Sequence, residues 1–257
     1  MKIKTIFVTV LLLVFLSGCQ STSAYNPYKA DKNMILTNVK RVGLMPTNLL
    51  VEVPNEEEKR GYFNAQLQGV FEQKGFEVIP AEEWRHIYDT VKAKSGDLFD
   101  AKTGKADKDK FKAIKEEVLA IYQKEFHVDA FVYSGVMVVK ANWDRSTAHW
   151  DGATASTTGR EGFWANFFGP QATGTMGALS FLVNIEDVKG ESLFVEFGGI
   201  QLLSRVSSRD FVPVSKEDLL ANNQINDNAI ALSTCRFFEI WEPPVKNKRG
   251  KVQSCRR

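Results

Sequence analysis

Residues 130–141 limit most strongly what this chain can fold into. They read Ala-Phe-Val-Tyr-Ser-Gly-Val-Met-Val-Val-Lys-Ala and are apolar almost without interruption. Such a run is typical of a strand buried inside a sheet, whereas a strand with one wet face alternates apolar and polar residues. The sequence therefore predicts a long central strand around which the rest of a sheet is built.

Shorter strands and several helices are predicted on both sides of this run. The predicted strands cover 39–46, 76–80, 147–150, 153–157, 179–188 and 193–204. Apolar residues at helical spacing predict helices over 55–74, over 81–93, along the stripe Phe111, Ile114, Val118 and Tyr122, and from Ser215 to about Trp241. The fold class predicted from this order is α/β (α+β), a mixed sheet of about five strands with helices packed mainly on one face.

Local signals mark the ends of these elements. Asn55 with Glu58, and Ser215 with Asp218, have the spacing of a capping box at a helix start. Asp151-Gly152 is a hairpin signal between two of the short strands. Gly198-Gly199, inside a predicted strand, indicates a bulge or the close approach of another backbone.

The amino-terminal residues have the layout of a secretory signal peptide. Lys2 and Lys4 precede an apolar run over 6–16, which is shorter than the ~20 residues that a membrane span needs. The run ends in Leu16-Ser17-Gly18-Cys19, which resembles the lipobox of bacterial lipoproteins. That resemblance implies an acylated Cys19 as the first mature residue, and Gln20 after it favours the outer membrane, facing the periplasm. The alternative is a plain signal peptide with an accidental cysteine.

These features divide the chain into four parts. Residues 1–18 are the predicted signal peptide, 19–38 the lipidated cysteine and a polar tether, 39–242 a single α/β domain, and 243–257 a basic carboxyl-terminal tail, expected to be solvated. The chain has 33 basic and 31 acidic side chains, and removal of the two signal lysines leaves the mature part balanced. A balanced charge argues against a general binding surface for nucleic acid or for an anionic membrane.

The three cysteines fit an oxidising compartment. With Cys19 assigned to lipid, Cys235 and Cys255 remain as a pair where disulfides persist. A bond between them would close a loop and stabilise the fold by roughly 3 kcal/mol. Two unpaired thiols are the alternative.

Four short motifs follow one another along 39–205. They are Val42–Pro46, a strand that ends in proline; Gly75–Ile79, of the form G-F-x-V-I; Asp129–Gly135, an apolar run opened by Asp-Ala; and Asp187–Glu191, of the form D-x-x-G-E. In this order the chain resembles a group of periplasmic lipoprotein domains: the TolB amino-terminal domain, the curli-secretion lipoprotein and the lipoprotein activators of penicillin-binding proteins. The resemblance implies an anticodon-binding-like α/β fold that is used for protein contacts.

No catalytic or cofactor motif stands out in the sequence. The G-x-S-x-G elbow, the H-E-x-x-H zinc motif, the P-loop and the G-x-G-x-x-G pattern do not occur. His86, His127 and His149 are scattered without the spacing of metal ligands. We therefore expect a protein that is not an enzyme and that needs no metal or cofactor.

The segment 162–169 is the strongest candidate site. It reads Gly-Phe-Trp-Ala-Asn-Phe-Phe-Gly, and its four large rings are Phe163, Trp164, Phe167 and Phe168. Exposed clusters of Trp and Phe mark interaction surfaces, and Trp150 is expected to support this one. The alternatives are that the segment seals an open face of the sheet, inserts at a membrane interface, or stacks on sugars.

Together these features predict a non-enzymatic, outer-membrane-anchored periplasmic lipoprotein that binds another cell-envelope protein and assists its assembly or activity. The expected partners are the membrane, through Cys19, and an envelope protein whose identity the sequence does not reveal. Whether the chain forms a homo-oligomer stays open. The alternatives are a module that binds glycan, peptidoglycan or a small ligand, and a hydrolase whose site is assembled from distant residues.

Overall fold

A computed structural model describes residues 25–158, 173–206 and 211–238. In these ranges the helices are α1 (Lys32–Asn38), α2 (Glu56–Gln73), α3 (Ala81–Lys94), α4 (Lys108–Phe126) and α5 (Asn223–Phe238). The strands are β1 (Arg41–Leu44), β2 (Asn48–Leu49), β3 (Glu77–Ile79), β4 (Ala130–Asp144), β5 (Thr147–Trp150), β6 (Ala153–Ser156), β7 (Thr173–Asp187), β8 (Ser192–Leu202), β9 (Ser204–Val206) and β10 (Phe211–Pro213). The predicted mixed α/β class is confirmed.

Strand β4 is the centre of the main sheet, as its apolar sequence predicts. Along one edge it pairs with antiparallel β7 over its whole length, from Ala130 opposite Asp187 to Asp144 opposite Thr173. Along the other edge it pairs with β1 and β2 in parallel and then with β5 in antiparallel direction. Strand β3 lies beyond β1, and β8 lies beyond β7. The sheet is therefore mixed, with its later strands antiparallel.

Helices cover both faces of this sheet, because the first half of β4 is apolar on both. Val132 and Val136 point to the face where α1, α2 and α5 pack, and Phe63 of α2 stacks on Phe181 of β7 with ring centroids 5.1 Å apart. Phe131 points to the opposite face, where α3 and α4 form a second apolar cluster. The sequence predicts helices mainly on one face, which is the face covered by α1, α2 and α5. The opposite face is also covered, by α3 and α4.

The second half of β4 is covered by strands instead of helices. Strands β5 and β6 form a hairpin with the predicted Asp151-Gly152 turn. The hairpin folds over the sheet, and the backbone carbonyl of Asp151 accepts a hydrogen bond from the amide of Gly199 in β8. A third apolar cluster fills the space beneath it. Its buried members are Ala141, Ala148, Trp150, Met176, Ala178 and Leu202.

The two glycines in β8 permit close contacts on opposite faces. A Cβ at Gly198 would lie 1.9 Å from the carbonyl oxygen of Ala229 in α5, and one at Gly199 would lie 2.5 Å from the Cβ of Ala153. The pairing register of β7 and β8 also shifts between Leu179 and Ser180. Both halves of the prediction, a bulge and a close backbone approach, are confirmed.

Two aspartates of the sequence motifs have structural roles in their turns. The carboxylate of Asp129 accepts hydrogen bonds from the amides of Lys40 and Arg41, each 2.8 Å long, and so fixes the start of β1 beside β4. The carboxylate of Asp187 accepts the amides of Lys189 and Glu191 in the turn between β7 and β8. These acidic positions thus set backbone geometry at the same end of the sheet.

The predicted tether over 19–38 is wrong in its second half. Residues 27–29 pair with the outer edge of β8, where Lys29 donates to the carbonyl of Leu193 and Val195 donates to that of Pro27. Tyr28 and Ile35 are buried, at 9% and 2% exposure. The described part of this segment therefore belongs to the domain, because it supplies the backbone partners that the edge of β8 needs.

Two helix starts differ in detail from the capping-box prediction. Helix α2 begins at Glu56 as expected, but Asn55 has a left-handed backbone with φ of 54° and makes no side-chain cap. Ser215 and Asp218 do bond to each other, with Ser215 Oγ 3.0 Å from the Asp218 carboxylate. They close a turn, however, and α5 starts only at Asn223.

Candidate functional site

Most of the predicted site residues lie outside the described residues. They are Cys19, Phe163, Trp164, Phe167, Phe168 and Cys255. Trp150 and Cys235 are described, and so are Thr158 and Thr173, which flank the aromatic segment. The surroundings of these four residues are the describable part of the candidate site.

Trp150 is a buried residue under the curled hairpin. It ends β5 with 6% exposure, and its indole N–H donates a 3.1 Å hydrogen bond to the carbonyl of Leu179. That carbonyl belongs to β7 at the point where the register with β8 shifts. Trp150 thus fastens the hairpin to the sheet, and its indole is not an exposed ring that a partner would meet.

Exposed apolar residues lie near Thr158 and Thr173, the described residues that flank 159–172. Thr158 bridges to Val206 of β9, and Thr173 opens β7 opposite Asp144. In the adjoining hairpin Phe211 and Val212 are 53% and 52% exposed. The ring of Phe211 packs edge-on against Trp143, with centroids 6.3 Å apart.

Phe211 and Val212 are not among the predicted site residues, although the sequence carries a usable signal for them. The stretch Phe211-Val212-Pro213-Val214 is apolar and short, and its proline disfavours a central strand. Residues 211–213 form β10, which pairs with β9 in a two-stranded sheet, and all three residues of β10 are exposed.

Cys235 lies in the last turn of α5 and is half-buried. Its Sγ lies 3.5 Å from the carbonyl of Leu232, and it takes part in a disulfide. Both other cysteines of the chain, Cys19 and Cys255, lie outside the described residues. The pairing of Cys235 with Cys255 therefore stays a prediction.

Beside Cys235 is a cavity of about 400 Å³ at the outer edge of β8. It separates the amino-terminal segment from the Asp151-Gly152 turn, and Tyr25, Glu196 and Arg236 line it. Glu196 is 8% exposed, and its Oε2 lies 3.0 Å from Nη1 of Arg236 without the alignment of a hydrogen bond. Its Oε1 accepts the amide of Phe197.

Burial raises the pKa of the Glu196 carboxyl, and the nearby Asp151 carboxylate adds to the rise. The amide of Phe197 and the guanidinium of Arg236 act in the opposite direction without reversing it. Asp151 itself accepts a 2.6 Å hydrogen bond from the hydroxyl of Ser180. The cluster contains a buried ion pair and joins β8, α5 and the hairpin turn.

The amino-terminal segment is fastened to the same end of α5. The hydroxyl of Tyr28 donates to the carbonyls of Arg236 and Phe237, at 2.6 and 3.0 Å, and Lys32 Nζ lies 3.3 Å from the Arg236 carbonyl. The hydroxyl of Tyr25 donates a 2.6 Å hydrogen bond to the carbonyl of Val195. Tyrosines at 25 and 28, three apart in an otherwise polar stretch, were the sequence signal for this docking.

A second opening, a groove of about 780 Å³, lies beside the start of α5. Amide and charged side chains contribute much of its wall. They are Gln201, Arg205, Asp218, Asn222, Asn223 and Gln224. Some are already engaged: Gln201 accepts the amide of Leu220 at 3.1 Å, and Asn222 accepts that of Ile225 at 3.3 Å.

Within the described ranges, no three or more His, Cys, Asp or Glu side chains are grouped so that they could hold a metal ion. His149 lies in β5, where its Nδ1 is 3.1 Å from the hydroxyl of Thr154 on the paired strand. Among the described helices, none has both the length and the apolar character that crossing a bilayer requires. No known family model and no curated protein matches this sequence.

Proposed function

We propose that the protein is a lipid-anchored outer-membrane lipoprotein that faces the periplasm and binds another cell-envelope protein through the aromatic segment 162–169. The sequence carries the two requirements, a lipobox that ends at Cys19 and four large rings in eight residues. The resemblance of 39–205 to periplasmic lipoprotein domains that make protein contacts supports the same role. Binding at that segment would assist the assembly or activity of the bound protein.

The observation that carries the proposal is the docking of residues 25–38 on the folded domain. Because Tyr28 and Ile35 are buried there, only 19–24 separate an acylated cysteine from the described structure. Six extended residues span at most about 20 Å. An anchor at Cys19 would therefore hold one side of the domain close to the bilayer and limit how the domain can turn.

The aromatic segment joins the sheet at a distance from that side. Thr173 follows the segment and begins β7. Ile185, twelve positions further along β7, lies opposite Phe194 of β8, and Phe194 in turn bridges to Tyr28. Twelve residues of strand cover about 40 Å. A domain held near Tyr28 would therefore carry Thr173, the residue that follows the segment, away from the lipid surface, where a partner could bind 162–169.

The anchor is tested by mass spectrometry of the amino-terminal peptide from membrane-purified protein. The proposal predicts a peptide that begins at Cys19 and carries acyl chains, and loss of both in Cys19→Ser. A mature chain that begins elsewhere, or an unmodified Cys19, would overturn it.

The partner site is tested by crosslinking in the native envelope with a variant that replaces Phe163, Trp164, Phe167 and Phe168 by serine. We expect the crosslinked partner to disappear while the melting temperature stays within a few degrees. The matched control is Leu50→Ser with Phe99→Ser, which removes two exposed apolar residues elsewhere. Unchanged crosslinking in the segment variant would contradict the site, and a collapse of its melting temperature would favour a role of these rings in sealing the sheet.

A second candidate function is the binding of glycan, peptidoglycan or a small ligand, and the polar groove beside α5 favours it. Amide side chains such as those of Asn222, Asn223 and Gln224 are suited to hydroxyl-rich ligands, and Arg205 is suited to a carboxylate. Isothermal titration with peptidoglycan fragments tests this function. Binding that Arg205→Gln weakens would support it, and the absence of measurable heat would dismiss it.

A further inference from the structure

The outer edge of β8 is covered by two separate segments, and a gap lies between them. The amino-terminal segment pairs with this edge as far as Val195. The next cover is the hairpin turn, where the carbonyl of Asp151 accepts the amide of Gly199. Between the two, Phe197 donates its amide to the carboxylate of Glu196 instead of to a neighbouring strand. The cavity of about 400 Å³ lies at this gap.

The carboxylate of Glu196 is buried at this gap without a full set of hydrogen-bond donors. Its side chain is 10% exposed, and its Oε1 accepts the amide of Phe197. Its Oε2 is shielded from solvent and has no hydrogen-bond partner among the described residues, although Nη1 of Arg236 lies 3.0 Å away. That Nη1 also lies 3.4 Å from the carbonyl of Tyr25. A buried carboxylate oxygen without a donor costs free energy, which a donor entering the cavity would recover.

A second carboxylate, that of Asp151, lines the same cavity from the hairpin turn. Its Oδ2 accepts the hydroxyl of Ser180 at 2.6 Å. The ionisable wall thus consists of two carboxylates and the guanidinium of Arg236, with a net charge of −1 when Glu196 is ionised. Burial and, more weakly, the charge of Asp151 raise the pKa of the Glu196 carboxyl. A bound cation would balance this wall.

The size and the apolar part of the cavity indicate an organic cation. A volume of about 400 Å³ lies within the ~300–1,000 Å³ typical of small-molecule sites, so a carbon chain fits beside the charged group. Leu232 of α5 supplies an apolar wall next to Gly152 of the turn. A metal ion is less suited, because the described ranges contain no group of three metal-ligating side chains.

We propose that this cavity binds a primary ammonium group on an aliphatic stem, held between the carboxylates of Glu196 and Asp151. The ammonium group donates to Oε2 of Glu196 in a charge-assisted hydrogen bond, and the stem lies against Leu232. A free alkylamine and a lysine side chain of another protein share this chemistry. The site lies apart from Cys19 and from 162–169, so it is tested independently of the anchor and of the aromatic segment.

The test is a ligand-observed NMR titration of the full-length protein in detergent with n-butylammonium. The matched probe is n-butyltrimethylammonium, which has the same charge and stem but no N–H donor. We expect n-butylammonium to bind at least about fivefold more tightly, because only it donates hydrogen bonds to the carboxylates. Equal affinities, or no binding of n-butylammonium, would overturn the proposal.

A second ligand separates the two sources of the ammonium group. N-acetyl-lysine methylamide carries it on a peptide backbone. Binding of both this probe and n-butylammonium would support a lysine side chain as the natural ligand. Binding of n-butylammonium alone would support a free amine.

Three variants locate the site. Glu196→Gln and Asp151→Asn should each weaken the binding of n-butylammonium at least about fivefold. Asp151→Asn keeps an acceptor for the hydroxyl of Ser180 and provides a second test if Glu196→Gln does not fold. The matched control, Glu117→Gln on the exposed side of α4, removes the same charge and should leave the affinity unchanged. An equal loss in the control, or no loss in the two cavity variants, would contradict the assigned site.

The pH dependence identifies Glu196 among the facing groups. These are Asp151 from the turn, Arg236 from α5 and Tyr25 from the amino-terminal segment. Arg236 remains charged, and burial raises the pKa of the Tyr25 hydroxyl, which therefore stays neutral at acidic and neutral pH. The affinity for n-butylammonium should rise as pH increases from 4.5 and Glu196 ionises, and this rise should be absent in Glu196→Gln. A wild-type affinity that does not change with pH would contradict the role of Glu196.

Discussion

The hydroxyl of Tyr28 donates a hydrogen bond to the carbonyl of Arg236, 2.6 Å away across 208 positions of sequence. Burial raises the pKa of this hydroxyl, so it remains a donor throughout the physiological pH range. Its ring meets Phe194 edge-on, with centroids 5.3 Å apart. One side chain thus joins the amino-terminal segment, strand β8 and the end of α5.

Replacement of Tyr28 tests this junction. Tyr28→Phe keeps the ring and removes the donor, and we expect a loss of about 1 kcal/mol in the free energy of unfolding. Tyr28→Ala also removes the buried ring and should cost about 3–5 kcal/mol. Urea unfolding measures both, and limited proteolysis should show earlier cleavage within 25–38 in the alanine variant.

The exposed Met34 provides the control on the same segment. Met34→Ala should change stability by less than about 0.5 kcal/mol, because the side chain is half exposed. If Tyr28→Ala were no more harmful than Met34→Ala, residues 25–38 would be the loose tether that their polar sequence predicts.

Gly198 tests the close approach of α5 to β8. A methyl group there would meet the carbonyl of Ala229, so Gly198→Ala should destabilise the domain by about 3 kcal/mol. The matched change is Gly61→Ala on α2, where nothing lies within 4 Å of the new methyl. That change should stabilise by about 0.5–1 kcal/mol, because alanine favours a helix over glycine. Equal effects of the two changes would contradict the packing described here.

The fold was predictable where the decisive pattern is local. The unbroken apolar run of β4 follows from burial on both faces of its first half, and the stripe Ile114, Val118 and Tyr122 follows from the one buried face of α4. The Asp151-Gly152 turn is also predictable, because Asp-Gly favours the positive φ values that both residues adopt in the structure. In each case the residues that form the element carry the whole signal.

Features that depend on distant partners could not be predicted in this way. Tyr28 is conspicuous in a largely polar stretch, but its docking place is the outer edge of β8, more than 150 positions later in the chain. The sequence predicts that Trp150 supports an exposed aromatic surface. In the structure its indole N–H instead has a buried acceptor, the carbonyl of Leu179, where the register of β7 and β8 shifts. Of the candidate site, the sequence pattern indicates the aromatic segment 162–169 but not the exposure of Phe211 and Val212.

Glu196 makes stability depend on pH. A carboxyl whose pKa is raised in the folded state binds its proton more tightly there than in the unfolded chain. Its contribution to the free energy of unfolding is therefore greatest below the ordinary pKa of 4.5 and falls as pH rises through the raised value. We expect the stability of the wild type minus that of Glu196→Gln to decrease as pH rises from 4.5. A difference that grows with pH over the same range of urea titrations would contradict the assignment.

Trp150 is predicted to be a structural residue. Trp150→Phe would leave the Leu179 carbonyl without its indole donor and should cost about 1–3 kcal/mol. Trp84→Phe, at a half-buried position of α3, is the control and should cost less than about 1 kcal/mol. Urea unfolding compares the two. A neutral Trp150→Phe that nevertheless abolished crosslinking to the partner would instead place Trp150 at the interface.

The most direct test of the account is site-specific photocrosslinking in intact cells, with the photoreactive residue in place of Trp164 or, as a control, of Lys112 on the exposed side of α4. We predict one discrete protein adduct from position 164, none of that size from position 112, and loss of the adduct when Cys19→Ser removes the anchor. The absence of an adduct at 164, or the same adduct from both positions, would contradict a lipid-anchored protein that binds its partner through 162–169.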